Sequence, residues 1–336
     1  MTVQSGFRWL SGLVMAALLT GGATTVFAAK RVKIGMFAFG HTRMVGQHLI
    51  DDGIAKKWGA KYGVDLKISF PNDDFAAFMG KSTQVIALSS LEAARLVGDE
   101  GLDIVMWGKL NTSFQEFYVR TDSPYKSPAD LKGKKIVIAG WDTGSAQIGT
   151  ILMKGFWGLD LRKDFRVVTA SWPVGPQVLA KGDVEMALNE MPLTLELMER
   201  GKIRPILSTY ATEWAKRMGT GHLISISLWA SFGKWLKKNE KAARAILGAT
   251  QQAMDYINNN TRSWAGRYRN FIQDKATDSQ VATFVDWWRK VQPSYKNAYL
   301  DKKFIRGETE FLKMAVEAGF IKPKGLKKSL WRVIKP

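Results

Sequence analysis

The chain contains no cysteine and only three histidines, His41, His48 and His222. The absence of cysteine excludes thiol nucleophiles, disulfides, cysteine zinc sites and iron–sulfur clusters. Since His41 and His48 are two helical turns apart, they are too distant to share a metal ion, and we expect neither a metal site nor a cofactor. A G-x-S-x-G elbow, an H-E-x-x-H zinc helix and a phosphate-binding P-loop are also lacking, which removes the usual sequence support for an enzyme.

Long apolar runs are scarce as well, and the one that stands out lies at the amino terminus. Residues 9–19 are apolar, follow Arg8 and precede small residues that end at Ala28. This order is typical of a secretory signal peptide, cleaved here near Ala28 or Ala29. The apolar stretch is shorter than the roughly 20 residues of a membrane-spanning helix, although an uncleaved anchor is the alternative. We therefore expect residues 1–28 to be a signal peptide and the protein to be periplasmic.

Acidic residues are outnumbered by basic ones, and the formal net charge is +19. The basic residues are dispersed in short pairs such as Lys56-Lys57 and Lys237-Lys238. Dispersed charge is typical of a solvated surface, and with the export signal it argues against a nucleic-acid partner. A positive field would nevertheless concentrate anionic solutes near the protein.

The length and the pattern of the chain predict a two-domain α/β protein. After removal of the amino-terminal segment about 307 residues remain, more than one hydrophobic core usually organises. Strands alternate with helices, which predicts mostly parallel sheets with binding loops at the carboxyl ends of the strands. From residue 232 onward the apolar spacing of three and four predicts a helical tail. The predicted strands are residues 31–37, 65–70, 84–88, 103–107, 117–120, 135–139, 165–169, 184–188, 203–207 and 222–229.

One segment carries a specific resemblance. Residues 127–136 read SPADLKGKKI, and a Gly158-Leu159-Asp160 turn, the segment LAKGDVEMAL at residues 179–188 and Pro192 follow in order. This series resembles the entry into the second lobe of periplasmic solute-binding proteins of the nitrate, taurine and sulfonate type, which serve ABC importers. The resemblance extends over residues 30–260.

The resemblance implies a type II periplasmic-binding fold with two lobes that close on a ligand by a hinge motion. Lobe 1 would comprise residues 30–118 and 222–336, including the tail, and lobe 2 residues 119–221. The chain would cross between the lobes near residues 116–121 and 210–224.

The function that the resemblance implies is capture of a small anionic or zwitterionic organic solute, of the sulfonate or carboxylate type, in the cleft between the lobes. A monomer would then deliver the solute to the membrane permease of an ABC importer. Two alternatives stay open: a ligand-binding receptor for a membrane sensor, and an enzyme built on the same fold.

Candidate ligand-binding residues in lobe 1 follow the predicted strands, where helix starts present unpaired backbone N–H groups. Ser89 and Glu92 also have the spacing of a capping box, which predicts that Ser89 caps its helix while its turn still faces the cleft. His41, together with Arg43, could pair with a ligand carboxylate, or both could be surface residues. The lobe 1 candidates are Phe39, Gly40, His41, Thr42, Ser89, Ser90 and Asn111.

Candidates in lobe 2 occupy the equivalent turns. Thr143, Gly144 and Ser145 suit a helix start that approaches a carboxylate or sulfonate closely, although ordinary capping explains them equally. Two acidic residues, Asp142 and Glu190, argue against a purely anionic ligand. A zwitterion or an amine-bearing heterocycle therefore stays open as the ligand. The lobe 2 candidates are Trp141, Asp142, Thr143, Gly144, Ser145, Trp172, Asn189 and Glu190.

Overall fold

A computed structural model describes residues 29–141 and 143–335. The predicted signal peptide and the candidate Asp142 lie outside the described residues. Within the described ranges, no helix combines the length and the apolar character needed to cross a membrane.

Each predicted strand is present in the structure, with ends that shift by a few residues. The strands are β1 Lys30–Gly35, β2 Val64–Ser69, β3 Ile86–Leu88, β4 Ile104–Thr112, β5 Glu116–Arg120, β6 Lys135–Ile138, β7 Arg166–Thr169, β8 Met186–Asn189, β9 Ile203–Pro205 and β10 Ser225–Phe232.

Helices cover the sheets and form the carboxyl-terminal part of the chain. They are α1 Gly40–Asp51, α2 Ile54–Lys61, α3 Asp74–Met79, α4 Ser90–Gly98, α5 Gly144–Trp157, α6 Gly175–Lys181, α7 Leu195–Glu199, α8 Tyr210–Met218, α9 Gly233–Lys238, α10 Glu240–Asn259, α11 Thr261–Arg267, α12 Arg269–Ile272, α13 Asp278–Val291 and α14 Lys302–Glu317. Three short 3-10 helices lie at Pro128–Leu131, Pro323–Gly325 and Lys328–Leu330.

The helices differ from the sequence-based expectation at three points. The sequence predicts a single helix as far as residue 60, but the structure has two. Gly53 separates α1 from α2, because its left-handed φ of 64° breaks the helix. The turn expected at residues 40–42 is the first turn of α1. Helix α8 was not predicted; Thr209 begins it as an N-cap that accepts a hydrogen bond from the backbone of Thr212.

The described strands form two sheets whose strands are arranged in the same topological order. The first runs β2-β1-β3-β10-β4, where a parallel bridge between Ile34 and Val85 joins its two parts. The second runs β7-β6-β8-β5-β9. In each sheet one strand is reversed: β10 is antiparallel to β3 and β4, and β5 is antiparallel to β8 and β9. Both reversed strands are the ones that enter from the other half of the chain. The predicted two-lobed α/β fold class is confirmed.

The chain passes between the sheets earlier than predicted. β5 already lies in the second sheet, so the first passage is residues 113–115, and its Ser113 and Gln115 are buried. The predicted lobe boundary between residues 118 and 119 falls inside β5, and the lobe boundaries stay predictions.

The hydrophobic core links the two halves on one side. Leu91 of α4, Ile148 and Ile151 of α5 and Phe311 of α14 belong to a single buried cluster. Helices α10, α11 and α13 instead surround a second cluster with the first sheet, around Trp229. The helical tail therefore packs on the first half and also contacts the second half through α14.

Candidate functional site

A cavity of about 440 Å³ lies between the two sheets. Its walls come from the ends of β1, β3, β6 and β8, as expected for an α/β protein in which binding groups follow the carboxyl ends of strands. The lining residues are Phe37, Phe39, His41, Thr42, Asp73, Asp74, Phe75, Ile86, Ala87, Leu88, Glu92, Arg95, Leu96, Glu100, Phe114, Gln115, Thr143, Gly144, Ser145, Trp172, Glu190, Ile226 and Ser227.

The structure brings about half of the predicted ligand-binding residues to this cavity. Those that line it are Phe39, His41, Thr42, Thr143, Gly144, Ser145, Trp172 and Glu190. Those that do not line it are Gly40, Ser89, Ser90, Asn111, Trp141 and Asn189.

Two residues of the second group form hydrogen bonds with other protein groups instead of facing the cavity. Asn111 is fully buried, donates to Thr42 at 3.0 Å and accepts from Ser294 at 3.1 Å. Asn189 donates to the carbonyl of Trp172 at 3.0 Å and accepts from the backbone N–H of Glu190 at 2.9 Å. These amides therefore position residues that do line the cavity.

Gly40 and Ser90 lie next to residues that line the cavity, whereas Trp141 lies in a separate groove. Gly40 has a φ of 58°, and a Cβ there would be 3.7 Å from Oε1 of Glu190. Ser90 is completely buried at the start of α4. The ring of Trp141 packs under the guanidinium of Arg162 at 4.5 Å, in a separate groove.

Neither His41 nor Arg43, which the sequence offered as partners of a ligand carboxylate, presents a cation to the cavity in the structure. His41 is buried, its ring lies 4.1 Å from that of Phe114, and burial lowers its pKa to about 3, so it is neutral at neutral pH. The guanidinium of Arg43 lies 3.5 Å above the ring of Phe70 and does not line the cavity.

The cavity is acidic. Five carboxyl groups line it, and Arg95 is the one Lys or Arg among the described residues that line it. The carboxyl groups are those of Asp73, Asp74, Glu92, Glu100 and Glu190.

Sequence reasoning missed Asp73 and Asp74, although a signal was present. Both begin α3, which follows the carboxyl end of β2, and Asp73 caps α3 by accepting from Ala76 at 2.7 Å. The rule that identified the other turns applies equally to this one. Burial raises the pKa of Asp74 above its usual range.

Glu190 is a buried acid of the second half. Its Oε2 accepts from Nε2 of Gln115 at 3.0 Å, and Oε1 of Gln115 accepts from the hydroxyl of Ser113 at 2.9 Å. Burial raises the pKa of Glu190 to about 7. The carboxyl group therefore changes its charge near neutral pH, and a nearby cation would favour the ionised form.

Aromatic side chains supply an apolar wall. Phe37, Phe39 and Phe75 are exposed by 38%, 58% and 41%, an unusual exposure for phenylalanine, and all three line the cavity. The rings of Phe37 and Phe39 meet edge to face at 5.5 Å. Trp172 lines the opposite half. Such surfaces suit the flat or apolar body of a small ligand.

The described residues include no group of three or more histidine, cysteine or acidic side chains that could hold a metal ion. The chemistry available in the cavity is thus ion pairing with carboxylates, hydrogen bonding and contact with aromatic rings.

Comparisons with known proteins identify the family. The sequence model described as NMT1/THI5 like matches residues 53–262, more than half of the chain. No curated protein matches the sequence.

Solved structures share the fold at low sequence identity. The periplasmic aliphatic sulphonate binding protein of Escherichia coli matches with a TM-score of 0.70 and 13% identity, over 91% of this chain and 94% of that one. The alkanesulfonate-binding protein of Xanthomonas axonopodis pv. citri, bound to MOPS, gives 0.68 and 14%, over 90% and 98%. The periplasmic nitrate-binding protein of Synechocystis PCC 6803 gives 0.61 and 13%, over 90% and 86%. The chain therefore belongs to the NMT1/THI5-like family and has the fold of periplasmic binding proteins.

Proposed function

We propose that the protein captures a small cationic or zwitterionic solute outside the cytoplasm and delivers it to the permease of an ABC importer. The solute carries a protonated amine or another positively charged nitrogen on a flat apolar body. The observation that carries this proposal is the acidic, aromatic-walled cavity in a chain whose net charge is +19.

The local charge matters more than the net charge for the bound ligand. Surface charges more than about 10 Å away are largely screened at physiological ionic strength. Carboxylates within a partly enclosed cavity interact at short range in a lower dielectric, where each pairing is stronger. The positive surface thus affects how solutes approach, while Asp74 and Glu190 act on the group that binds.

This proposal selects one of the alternatives that the sequence left open. Structural relatives bind sulphonates or nitrate, by their descriptions. An anion in this cavity would have Arg95 as its partner, whereas a cation would have the lining carboxylates. A zwitterion could use both, with its cation near Glu190 and its anion near Arg95.

The two lobes proposed for closure are built around the first and the second sheet. Closure would bury the solute between the aromatic wall of the first half and Trp172 of the second. Because the described residues offer hydrogen bonds and ion pairs rather than an activated nucleophile, we propose binding without turnover.

A thermal-shift screen followed by calorimetry tests the solute class. Protonated amine heterocycles and N-methylpyridinium should raise the melting temperature, because a ligand that binds only the native state stabilises it. Methanesulfonate and nitrate should not. Stabilisation by these anions alone would contradict the proposal.

Matched variants connect a hit to the cavity. Glu190→Gln should weaken binding of a cation by roughly tenfold or more, since it removes a buried charged partner. The control is Glu185→Gln. Glu185 lies immediately before β8, whereas Glu190 follows it, and Glu185 does not line the cavity, so this change should leave the affinity unchanged. Recovery of the solute chemically unchanged, at one per protein molecule, would support binding over catalysis.

A further inference from the structure

The first turns of α4 and α5 meet across the cavity, with the side chain of Glu92 between them. Ser89 is the N-cap of α4 and Thr143 is the N-cap of α5. Oε2 of Glu92 accepts from the backbone N–H of Ser89 at 2.8 Å and from its hydroxyl at 2.7 Å. The same oxygen lies 3.2 Å from the position that a Cβ atom would take on Gly144, the first residue of α5.

These two helix starts are where the sequence predicts an anionic ligand group. The unpaired N–H groups and the positive end of each helix dipole favour negative charge at that point. In this chain the negative group is already present, because a carboxylate of the protein itself fills the space.

We propose that Glu92 determines the specificity of the cleft by occupying the position of a ligand anion between α4 and α5. The inference rests on the proposed function only in taking this cleft as the solute site. A sulfonate, carboxylate or nitrate that entered would meet a carboxylate at close range and would find the donors of Ser89 already used. A cation would meet no such obstacle.

Removal of the side chain would leave an anion site. The backbone N–H and the hydroxyl of Ser89 would both become free to donate. The hydroxyl of Ser90, which is completely buried and has no hydrogen-bond partner among the described residues, lies at the same helix start. The backbone of Gly144 can approach an anion closely because it carries no Cβ.

The test compares the affinity for methanesulfonate of the wild type, Glu92→Ala and Glu317→Ala, measured by calorimetry on the full chain. Glu317 is exposed at the end of α14 and does not line the cavity, so its removal makes the same change in net charge elsewhere. We expect Glu92→Ala to gain roughly tenfold or more in methanesulfonate affinity, as removal of a close like charge predicts. Glu317→Ala should gain little.

A gain in Glu317→Ala equal to that in Glu92→Ala, or no gain in a folded Glu92→Ala, would overturn the inference. If Glu92→Ala does not fold, Glu92→Gln decides, because glutamine keeps the capping box without the charge. It should then bind methanesulfonate better than Glu317→Gln does, and equal affinities would overturn the inference.

N-methylpyridinium separates this inference from the proposed function. If the wild type binds this cation but Glu92→Ala gains no methanesulfonate affinity, the specificity role of Glu92 fails and the cationic solute class stands. If the wild type binds no cation and Glu92→Ala still gains methanesulfonate affinity, the role of Glu92 stands and the solute class fails.

Discussion

The affinity for a permanently charged cation should depend on pH through Glu190. With its pKa raised to about 7 by burial, Glu190 is about one tenth ionised at pH 6 and about nine tenths ionised at pH 8. A cation that binds the ionised form should therefore bind about tenfold more tightly at pH 8 than at pH 6, or about 1.4 kcal/mol. Binding should also release a proton near neutral pH.

N-methylpyridinium is the suitable probe, because its own charge does not change with pH. Calorimetry at pH 6, 7 and 8, in two buffers with different ionisation enthalpies, measures both the affinity and the proton released. Asp74 and Glu92 also face the cavity, burial raises the pKa of each, and their ionisation would add a slope of the same sign. A Glu190→Gln variant whose pH slope equals that of the wild type would refute the reasoning.

Two buried carboxyl groups, those of Glu116 and Glu190, should make the ligand-free protein less stable as the pH rises. Burial raises the pKa of both Glu116 and Glu190 to about 7 from the usual 4.5. The native state then holds protons that the unfolded state releases, so stability is fully present below about pH 4.5 and is lost as the pH rises through about 7. Each group contributes about 3 kcal/mol at most. Urea unfolding of the wild type and of Glu116→Gln/Glu190→Gln between pH 5 and 8 checks this; parallel curves would contradict it.

Two further predictions concern stability. Glu308 is completely buried and accepts from the backbone and hydroxyl of Ser225 at 2.8 and 2.9 Å, so Glu308→Ala should cost about 3 kcal/mol in urea unfolding by leaving these donors unpaired. A loss below about 1 kcal/mol would count against it. Gly98→Ala should cost about 1–3 kcal/mol, because its Cβ would lie 2.9 Å from the backbone of Gly325. Gly266→Ala, in a helix with no atom within 4 Å of the new Cβ, is the control and should be neutral or stabilising.

The strands were predictable because their signal is local. Alternation and short apolar runs identified every strand, and Gly182 ended α6 as predicted, with a left-handed φ of 87°. The break at Gly53 was missed because a glycine inside a periodic pattern does not reveal its φ. The burial of His41 was also predictable from the sequence. Its spacing places it on one helical face with Met44, Val45 and His48, and all four are buried.

The cavity was predictable in position but not in charge. The rule that sites follow strand ends located the turns that carry Thr42, Thr143 and Glu190, and it applies to Asp73 as well. Which side chains turn inward depends on tertiary contacts, since Asn189 and Glu190 are adjacent and only Glu190 lines the cavity. That contrast arises from the hydrogen bond of Asn189 to Trp172, a residue distant in sequence.

The capping box of α4 has a consequence that its sequence pattern does not reveal. Ser89 with Glu92 was consistent both with a helix cap and with a turn that binds an anion, and the two roles were treated as compatible. In the structure the capping carboxylate lies in the space between α4 and α5 where that anion would sit. Because the same N–H and hydroxyl of Ser89 cannot serve both groups, the two roles exclude each other. A capping carboxylate that faces a second helix start across a cleft therefore determines which ligand charge the cleft accepts.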